Sequence, residues 1–251
     1  MRVAAIYDIH ANLPALEAVL EDIRRAAVDQ IVVGGDVFPG PMPQETIRYL
    51  LELDMPIEFL GGNGDREVLA QMRGVETDWF RAASEHWREP VRWTARQLGR
   101  ELERLLADWP KTLRVEIAGI GEVLFCHATP RNDTECFTRL TPEDRLVLIF
   151  GGVGAPLAVC GHTHMQFDRM IGETRVVNAG SVGMPFGAPG AYWLLLGPDV
   201  QLRHTPYDLA TAAGRIRATQ YPQAEEFAER NVLQPPSEQE MLEAFGRVEL
   251  K

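Results

Sequence analysis

The 251-residue sequence has only three cysteines, two lysines and no long apolar run, and these shortages exclude several classes of protein. Cys126, Cys136 and Cys160 are an odd number without CxxC spacing, so we expect small buried side chains rather than disulfides or a structural zinc site. No apolar stretch approaches the roughly 20 residues that span a bilayer, and no basic signal-peptide segment follows Met1. We therefore predict a cytoplasmic protein without a membrane partner.

Positive charge is also scarce. The chain has 25 basic and 36 acidic residues, and its formal net charge is -11. Such a surface repels polyanions, so nucleic acid is not an expected partner. A small anion held at a local site remains compatible with this charge. With 45% hydrophobic residues, the chain is long enough for one large domain with a sizeable core.

Short apolar runs that end in Gly, Asp, Asn or His alternate with segments of helical periodicity, which is typical of a layered α/β protein. Strands at 3–7, 30–33 and 57–60, with helices at 13–27 and 44–53, predict two successive βαβ units followed by a polar loop at 61–65. The second half predicts a hairpin at 113–126, one helix from 142 to about 149, and five further strands. We predict an α/β fold: a four-layer α/β/β/α sandwich of two mixed sheets with flanking helices.

Two segments fall outside this alternation. We interpret residues 75–110 as a helical, Trp-rich insertion within a domain of residues 1–206, and residues 207–251 as a C-terminal helical appendage. The aromatic side chains of the insertion are expected mainly in the core or against the main domain. The alternatives are a lid and a dimer surface, through which a homo-oligomer would form. Stacking of nucleobases is disfavoured, because acidic residues dilute the arginines there.

Carboxylate, amide and imidazole side chains follow the predicted strands. In chain order they are Asp8, His10, Asp36, Asn63, His127, His162 and His164. Each alone has a simpler interpretation, such as a turn-capping Asp or a buried core histidine. Together they indicate a site, because four of the six histidines are among them and ligands bind at the strand ends of α/β sheets. Oxygen and nitrogen donors of this kind suit Mn, Fe or Zn.

In this order the motifs Asp-x-His, Gly-Gly-Asp, Gly-Asn-x-Asp, a lone His and Gly-His-Thr-His resemble those of the calcineurin-like metallophosphoesterases. The resemblance continues through residues 178–183 and leaves out the insertion and the appendage. It implies a two-metal site at the carboxyl ends of the strands. One ion would be held by Asp8, His10, Asp36 and His164, and the other by Asp36, Asn63, His127 and His162, with Asp36 bridging. The implied ions are divalent transition metals, with Mn²⁺ favoured over Fe, Zn or Ni.

The resemblance also implies a reaction, in which a metal-bridging hydroxide attacks a phosphate ester and Asp36, Asn63 and His127 act as catalytic residues. One position departs from the family pattern. Gly64 stands where most members have a histidine that is thought to protonate the leaving group. A general-acid contribution of roughly 10² to 10⁴ in rate is therefore absent or supplied elsewhere.

His86 and Arg131 are the two candidates that the sequence offers for the missing acid, although His86 is equally compatible with an exposed helix residue and Arg131 with a surface base. Asp65 is expected to orient a metal ligand or to cap the following helix rather than to bind metal.

Without the histidine, the hypothesis we favour is a phosphodiesterase that acts on a small or exposed phosphate ester with an acidic leaving group. A phosphomonoesterase acting on a protein or a small molecule is one alternative. A non-catalytic scaffold with the same fold is another, and the presence of every expected ligand argues against it. The acidic balance and the lack of a separate basic domain argue against a nuclease.

Overall fold

The computed structural model describes residues 1–247 and 250 and contains two five-stranded sheets. The strands are β1 (Val3–Ile6), β2 (Gln30–Val33), β3 (Ile57–Phe59), β4 (Thr112–Ile117), β5 (Gly121–Cys126), β6 (Leu157–Cys160), β7 (Phe167–Ile171), β8 (Thr174–Asn178), β9 (Ala191–Leu196) and β10 (Val200–Thr205). The first sheet has the order β10, β9, β1, β2, β3, and the second has the order β4, β5, β6, β8, β7. Both are mixed: β1, β2 and β3 are parallel, as are β5, β6 and β8, while the remaining pairs are antiparallel.

Ten α-helices connect or flank the strands of the described chain. They are α1 (Leu13–Arg25), α2 (Pro43–Leu51), α3 (Asn63–Met72), α4 (Asp78–Ala82), α5 (Glu85–Gln97), α6 (Arg100–Ala107), α7 (Glu143–Phe150), α8 (Leu209–Arg217), α9 (Ala224–Phe227) and α10 (Glu238–Phe245), with a π-helix at Ala228–Leu233. Helix α1 begins in a typical way: the Asn12 side chain accepts a hydrogen bond from the Ala15 N–H at 3.3 Å, and Pro14 lies in the first turn. No described helix is both long and apolar enough to cross a membrane.

The core lies in three layers, and this confirms the predicted α/β/β/α sandwich. Between the sheets, Tyr7 from β1's end packs with Phe125 of β5 and Leu194 of β9, all fully buried. The outer face of the first sheet packs against α1, α2 and the helices of residues 78–107, and the outer face of the second packs against α7. Alternating residues of each strand therefore enter different layers, as a period of two requires.

The two segments that fell outside the alternation are helical in the structure. The helices α4, α5 and α6 contribute Phe80, Val91 and Leu106 to the same apolar cluster as α1. The C-terminal helices form their own cluster, in which Ile216 and Phe227 pack with Leu13 at the start of α1. The division of the chain into a domain, an insertion and an appendage stays a prediction.

Two expectations were wrong. The polar loop predicted at 61–65 ends three residues early, because α3 begins at Asn63. The Asp65 carboxylate accepts from the Gly62 N–H at 3.0 Å, so polar residues that suggested a loop form the first turn of a helix.

The three cysteines are free as expected, but Cys136 is only half-buried, whereas Cys126 and Cys160 are buried.

Candidate metal centre

The strand ends bring the seven sequence-predicted metal-binding residues together. Six of them form two groups, within each of which the potential ligand atoms lie within 4.8 Å of one another. The groups are Asp8, His10 and His164, and Asp36, His127 and His162. They come from the ends of parallel strands in both sheets, and the His162 N–H donates to Asp8 Oδ2 at 2.8 Å across the sheets. The site therefore depends on the face-to-face packing of the sandwich.

Asp36 lies between the two groups. Its Oδ2 atom is 3.8 Å from His10 Nε2, and its Oδ1 atom is 3.6 Å from His127 Nε2. The two oxygens of one carboxylate thus face different groups. This is the arrangement that a carboxylate shared between two cations requires.

The backbone is strained at these residues. Seven non-glycine residues of the described chain have φ in the left-handed region, and five of them are predicted ligands. The values are +52° for Asp8, +46° for His10, +51° for Asp36, +66° for His162 and +57° for His164. Such conformations cost on the order of 1 kcal/mol each and persist only where the surrounding structure holds them. Their concentration here marks a functional site.

Backbone carbonyls orient three of the imidazoles. A carbonyl only accepts, so each Nδ1 carries the proton and leaves the Nε2 lone pair facing into the site. The Nδ1 to carbonyl oxygen distances are 3.0 Å from His127 to Gly34, 2.7 Å from His164 to Met184 and 3.3 Å from His10 to Pro39. This is the arrangement that proteins use to prepare imidazoles as metal ligands.

Asn63 completes the second group. One end of its amide lies 3.1 Å from His127 Nε2 and 2.9 Å from His162 Nδ1. The amide nitrogen at that end can donate to both imidazoles and to the Asp133 carbonyl oxygen, whereas the amide oxygen there needs a cation between it and the imidazole lone pairs. With a cation present, the oxygen and both imidazole nitrogens can act together as ligands.

The electrostatics of the site also fit bound cations. Burial and the negative charge of Asp8 raise the pKa of Asp36 well above its ordinary value. Burial and neighbouring imidazoles lower the pKa of His10 and of His162 to about 3, so both rings are neutral near pH 7. Asp8 Oδ1 is fully buried and has no hydrogen-bond donor among the described residues. Two buried carboxylates together with the neutral imidazoles of His10 and His162 match the donor set of a divalent metal centre.

Asp65 supports this centre through the backbone. Its carboxylate accepts from the N–H groups of Asp36 at 2.8 Å, Phe38 at 3.0 Å and Gly62 at 3.0 Å. Asp65 therefore caps α3 and fixes the Asp36 loop, in line with its predicted supporting role. The acceptors for the imidazoles of His10, His127 and His164 are backbone carbonyls instead.

Two further contacts hold the loops and were not assigned from the sequence. The Asn178 amide donates to the Gly161 carbonyl at 2.6 Å and to Thr163 Oγ1 at 3.1 Å, which fixes the loop that carries His162 and His164. The Ser181 hydroxyl donates to the Asp8 carbonyl at 2.8 Å. Both belong to the stretch 178–183, which was noticed as part of the resemblance without a role for its residues.

An ion pair between Arg66 and Asp133, which are far apart in the chain, is a further contact beside the site. The Arg66 guanidinium donates to both carboxylate oxygens of Asp133, at 2.7 and 3.2 Å. The Asp133 carbonyl oxygen lies 3.0 Å from the Asn63 amide. No sequence pattern indicated this pair.

A family model for the calcineurin-like phosphoesterase superfamily domain matches residues 1–197. The chain belongs to this superfamily. It is 27% identical over 241 residues to the protein MJ0912 of Methanocaldococcus jannaschii, covering 88% of this chain and 94% of that protein. The solved structure of a metallophosphoesterase from Sphaerobacter thermophilus superimposes with a TM-score of 0.71 at 27% identity, covering 92% and 97% of the two chains. The structure of PH1004 from Pyrococcus horikoshii shares the fold, with a TM-score of 0.75 at 21% identity and coverage of 94% and 99%.

The chain has no room for a side chain at Gly64. A Cβ atom built there would lie 2.3 Å from the Phe38 carbonyl oxygen, 3.0 Å from Pro39 Cδ and 3.1 Å from Asp36 Oδ1. The Gly64 N–H instead donates to Asp36 Oδ1 at 2.7 Å. The first turn of α3 therefore approaches the Asp36 loop too closely for the histidine that most relatives carry.

A cleft of about 510 Å³ leads from the phosphoesterase's candidate metal centre to the surface. Its floor includes His10, Asp36 and Asn63, and its walls are formed by residues 79–91 and 221–241. His86 lies in one wall, with its Nδ1 3.2 Å from Gln223 Nε2. Arg131 is bound to Glu135, at 2.7 Å from Nε, and is not among the residues that line the cleft. Of the two candidates for the missing acid, His86 alone borders this space.

Proposed function

We propose that this phosphoesterase hydrolyses a small or exposed phosphodiester with the help of two divalent transition-metal ions. Mn²⁺ is our first choice, with Fe, Zn and Ni as alternatives. The proposal rests on the two groups of potential metal ligands, which lie next to each other and are linked by the Asp36 carboxylate. When bound, two such ions lower the pKa of a water molecule for attack on phosphorus and offset the charge of the phosphoryl oxygens.

The residues of the chain have distinct parts in this proposal. One ion would be held by Asp8, His10 and His164. The other would be held by His127, His162 and Asn63, and Asp36 would bind both ions. Asn63 is a neutral ligand that adds no negative charge where an anionic substrate must enter. It is half-buried and lines the cleft, so it stands at the boundary between the metal centre and the space for substrate.

A diester is favoured over a monoester for two reasons. Gly64 supplies no general acid, so a substrate whose leaving group departs without a proton reacts best. Apart from the predicted ligands and His86, the charged residues lining the cleft are Glu67, Glu226 and Arg230. This balance has no excess of positive charge for the second negative charge of a monoester, so a singly charged diester suits it better.

The test is hydrolysis by the purified protein loaded with Mn²⁺. We expect metal-stimulated release of p-nitrophenol from bis(p-nitrophenyl) phosphate, faster than from p-nitrophenyl phosphate. Asp36→Asn should abolish it, whereas Asp168→Asn, which breaks an exposed pair with Arg175, should not. A folded protein with two ions bound and no activity on either ester would refute the enzymatic proposal.

Metal content gives a separate measure. The proposal requires close to two transition-metal ions per chain in the parent protein and fewer in Asp36→Asn. A well-folded protein that binds no metal would favour the scaffold alternative.

A further inference from the structure

The aromatic side chains between residues 79 and 109 fall into two sets. The first set packs within the protein. Phe80 is buried beneath the guanidinium groups of Arg88 and Arg92, at 5.7 and 5.6 Å. Trp93 meets Tyr221 edge to face at 5.3 Å, and Trp109 stacks on Phe59 at 5.0 Å. These residues do what was expected of the aromatic stretch.

Trp79 and Trp87 form the second set. Their side chains are 44% and 58% exposed, although indole rings are usually well buried. Both line the cleft whose floor is the candidate metal centre. Exposed aromatic surface within a cleft, rather than scattered over the protein, marks a place where a ligand binds.

The cleft lining to which the two indoles belong is largely uncharged. Val91 and Met184 belong to the same cleft lining, as does Phe186, which stacks on the candidate ligand His164 at 5.2 Å between ring centres. A long nucleic acid would need a row of basic residues along the cleft, and Arg230 is the single arginine in its described lining. The space therefore suits one uncharged ring rather than a strand.

Trp87 is held in place before any ligand binds. The ring of the adjacent His86 meets its indole edge to face at 5.0 Å. The Gln223 amide in turn donates to the His86 carbonyl at 2.6 Å, which ties this wall of the cleft to the C-terminal one. An aromatic surface that is already ordered loses little conformational entropy when a ring stacks on it.

We propose that Trp79 and Trp87 bind a flat aromatic ring in the organic part of the substrate while its phosphate occupies the metal centre. This inference rests on the proposed function. It names the substrate class as aryl or nucleoside phosphate esters rather than alkyl esters. The recognition would be stacking on the indoles, and the cleft volume of about 510 Å³ is in the usual range for a ligand of this size.

Binding of phosphonates, which are not hydrolysed, tests the inference without relying on activity. Isothermal titration calorimetry of the Mn²⁺-loaded protein compares phenylphosphonate with methylphosphonate. Every phosphonate in these tests is used as its monomethyl ester, so that it carries the single negative charge of a phosphodiester. Stacking of one ring on an aromatic side chain changes affinity by roughly 5- to 100-fold. We expect phenylphosphonate to bind tighter by an amount in that range.

Variants then assign the preference to the two indoles. In a Trp79→Ala/Trp87→Ala double variant the preference should fall to less than about twofold, with methylphosphonate binding unchanged. Trp87→Phe keeps a ring and should keep most of the preference. Leu148→Ala removes an exposed apolar side chain that lies outside the cleft lining, and it should change nothing.

A third ligand distinguishes the two sources of the ring. The methylene phosphonate analogue of adenosine monophosphate carries its ring beyond a ribose, whereas phenylphosphonate carries it directly on phosphorus. Tighter binding of either than of methylphosphonate, lost in the double variant, supports the inference. Equal binding of all three overturns it and leaves the phosphoesterase proposal standing. Binding of none of them by a protein that holds two metal ions overturns both.

Discussion

Replacing Gly64 by alanine tests whether steric crowding explains the missing histidine. The added methyl group would lie 2.3 Å from the Phe38 carbonyl oxygen, which belongs to the backbone and cannot rotate away. Forcing an extra methyl into a well-packed place costs about 1 to 3 kcal/mol. Against this, alanine is favoured over glycine inside a helix by about 1 kcal/mol. We therefore expect Gly64→Ala to lower the free energy of unfolding despite the better helix former.

Gly214 provides the matched control. It also lies within a helix, α8, but a Cβ atom there would meet nothing within 4 Å. Gly214→Ala should therefore raise the free energy of unfolding by up to about 1 kcal/mol. Because the helix preference of alanine contributes at both positions, the effect of the substitution should differ between them by the crowding cost, about 1 to 3 kcal/mol.

Urea unfolding followed by far-ultraviolet circular dichroism measures both variants, with metal removed by a chelator so that binding does not contribute. A second readout is metal affinity, because movement of Gly64 weakens the 2.7 Å hydrogen bond from its N–H to Asp36 Oδ1. We expect weaker Mn²⁺ binding in Gly64→Ala and none of this loss in Gly214→Ala. If both variants are stabilised alike, the crowding argument is wrong and the histidine could have been accommodated.

Three other perturbations probe the centre and its supports. Chelation of metal should lower the melting temperature, because saturating a site a hundredfold above its Kd stabilises by about 2.7 kcal/mol, and this shift should be smaller in Asp36→Asn, which binds fewer ions. Arg66→Ala should weaken metal binding by about 10- to 100-fold in calorimetry, because it frees the Asp133 loop beside Asn63, whereas Arg175→Ala, which breaks an exposed pair, should not. Asn178→Ala should destabilise by about 1 to 3 kcal/mol in urea, because its buried partners lose their hydrogen bonds; an unchanged midpoint would contradict the bracing role of that side chain.

The sequence sufficed to predict the candidate ligands for a simple physical reason. Each follows a short apolar strand, and the carboxyl ends of parallel strands lie at one edge of a sheet. Knowledge of the strands therefore places Asp8 and Asp36 near each other, since β1 and β2 pair in parallel. The second sheet does the same for His127 and His162 through β5 and β6. Neither inference requires long-range contacts beyond strand pairing.

The supporting contacts could not be found in this way. Arg66 and Asp133 are separated by 67 positions, and neither lies in a periodic pattern that points to the other. Charged residues of this kind are common on surfaces, and only the folded loops bring the guanidinium into bidentate contact with the carboxylate. The start of α3 was missed for a related reason. Gly-Asn-Gly-Asp has the composition of a turn, and its helical conformation depends on Asp65 accepting from backbone groups of another loop.

The cleft is also a product of packing between distant segments. Helical periodicity indicates which side of α5 is buried, but it does not indicate that Trp87 faces residues from the C-terminal helices. The contact of His86 with Gln223 joins positions 137 apart in the chain. The sequence therefore left the aromatic stretch with several interpretations, and the structure separates the packed rings from the two exposed ones.

Gly64 and the exposed indoles lead to one consistent account of specificity. From the sequence alone, Gly64 indicates that a catalytic acid is missing. In the structure, Gly64 allows the first turn of α3 to lie close enough to the Asp36 loop for the Gly64 N–H to donate to Asp36 Oδ1. A side chain at this position would clash with that loop. Under the proposed function, the substrate needs a leaving group that is already stable as an anion, and a phenolic oxygen, with a pKa near 10, meets that need far better than an alkoxide. An aromatic ring next to the phosphate is also what Trp79 and Trp87 would recognise. The absence of a histidine at position 64 and the exposure of Trp79 and Trp87 thus both favour aryl phosphate esters.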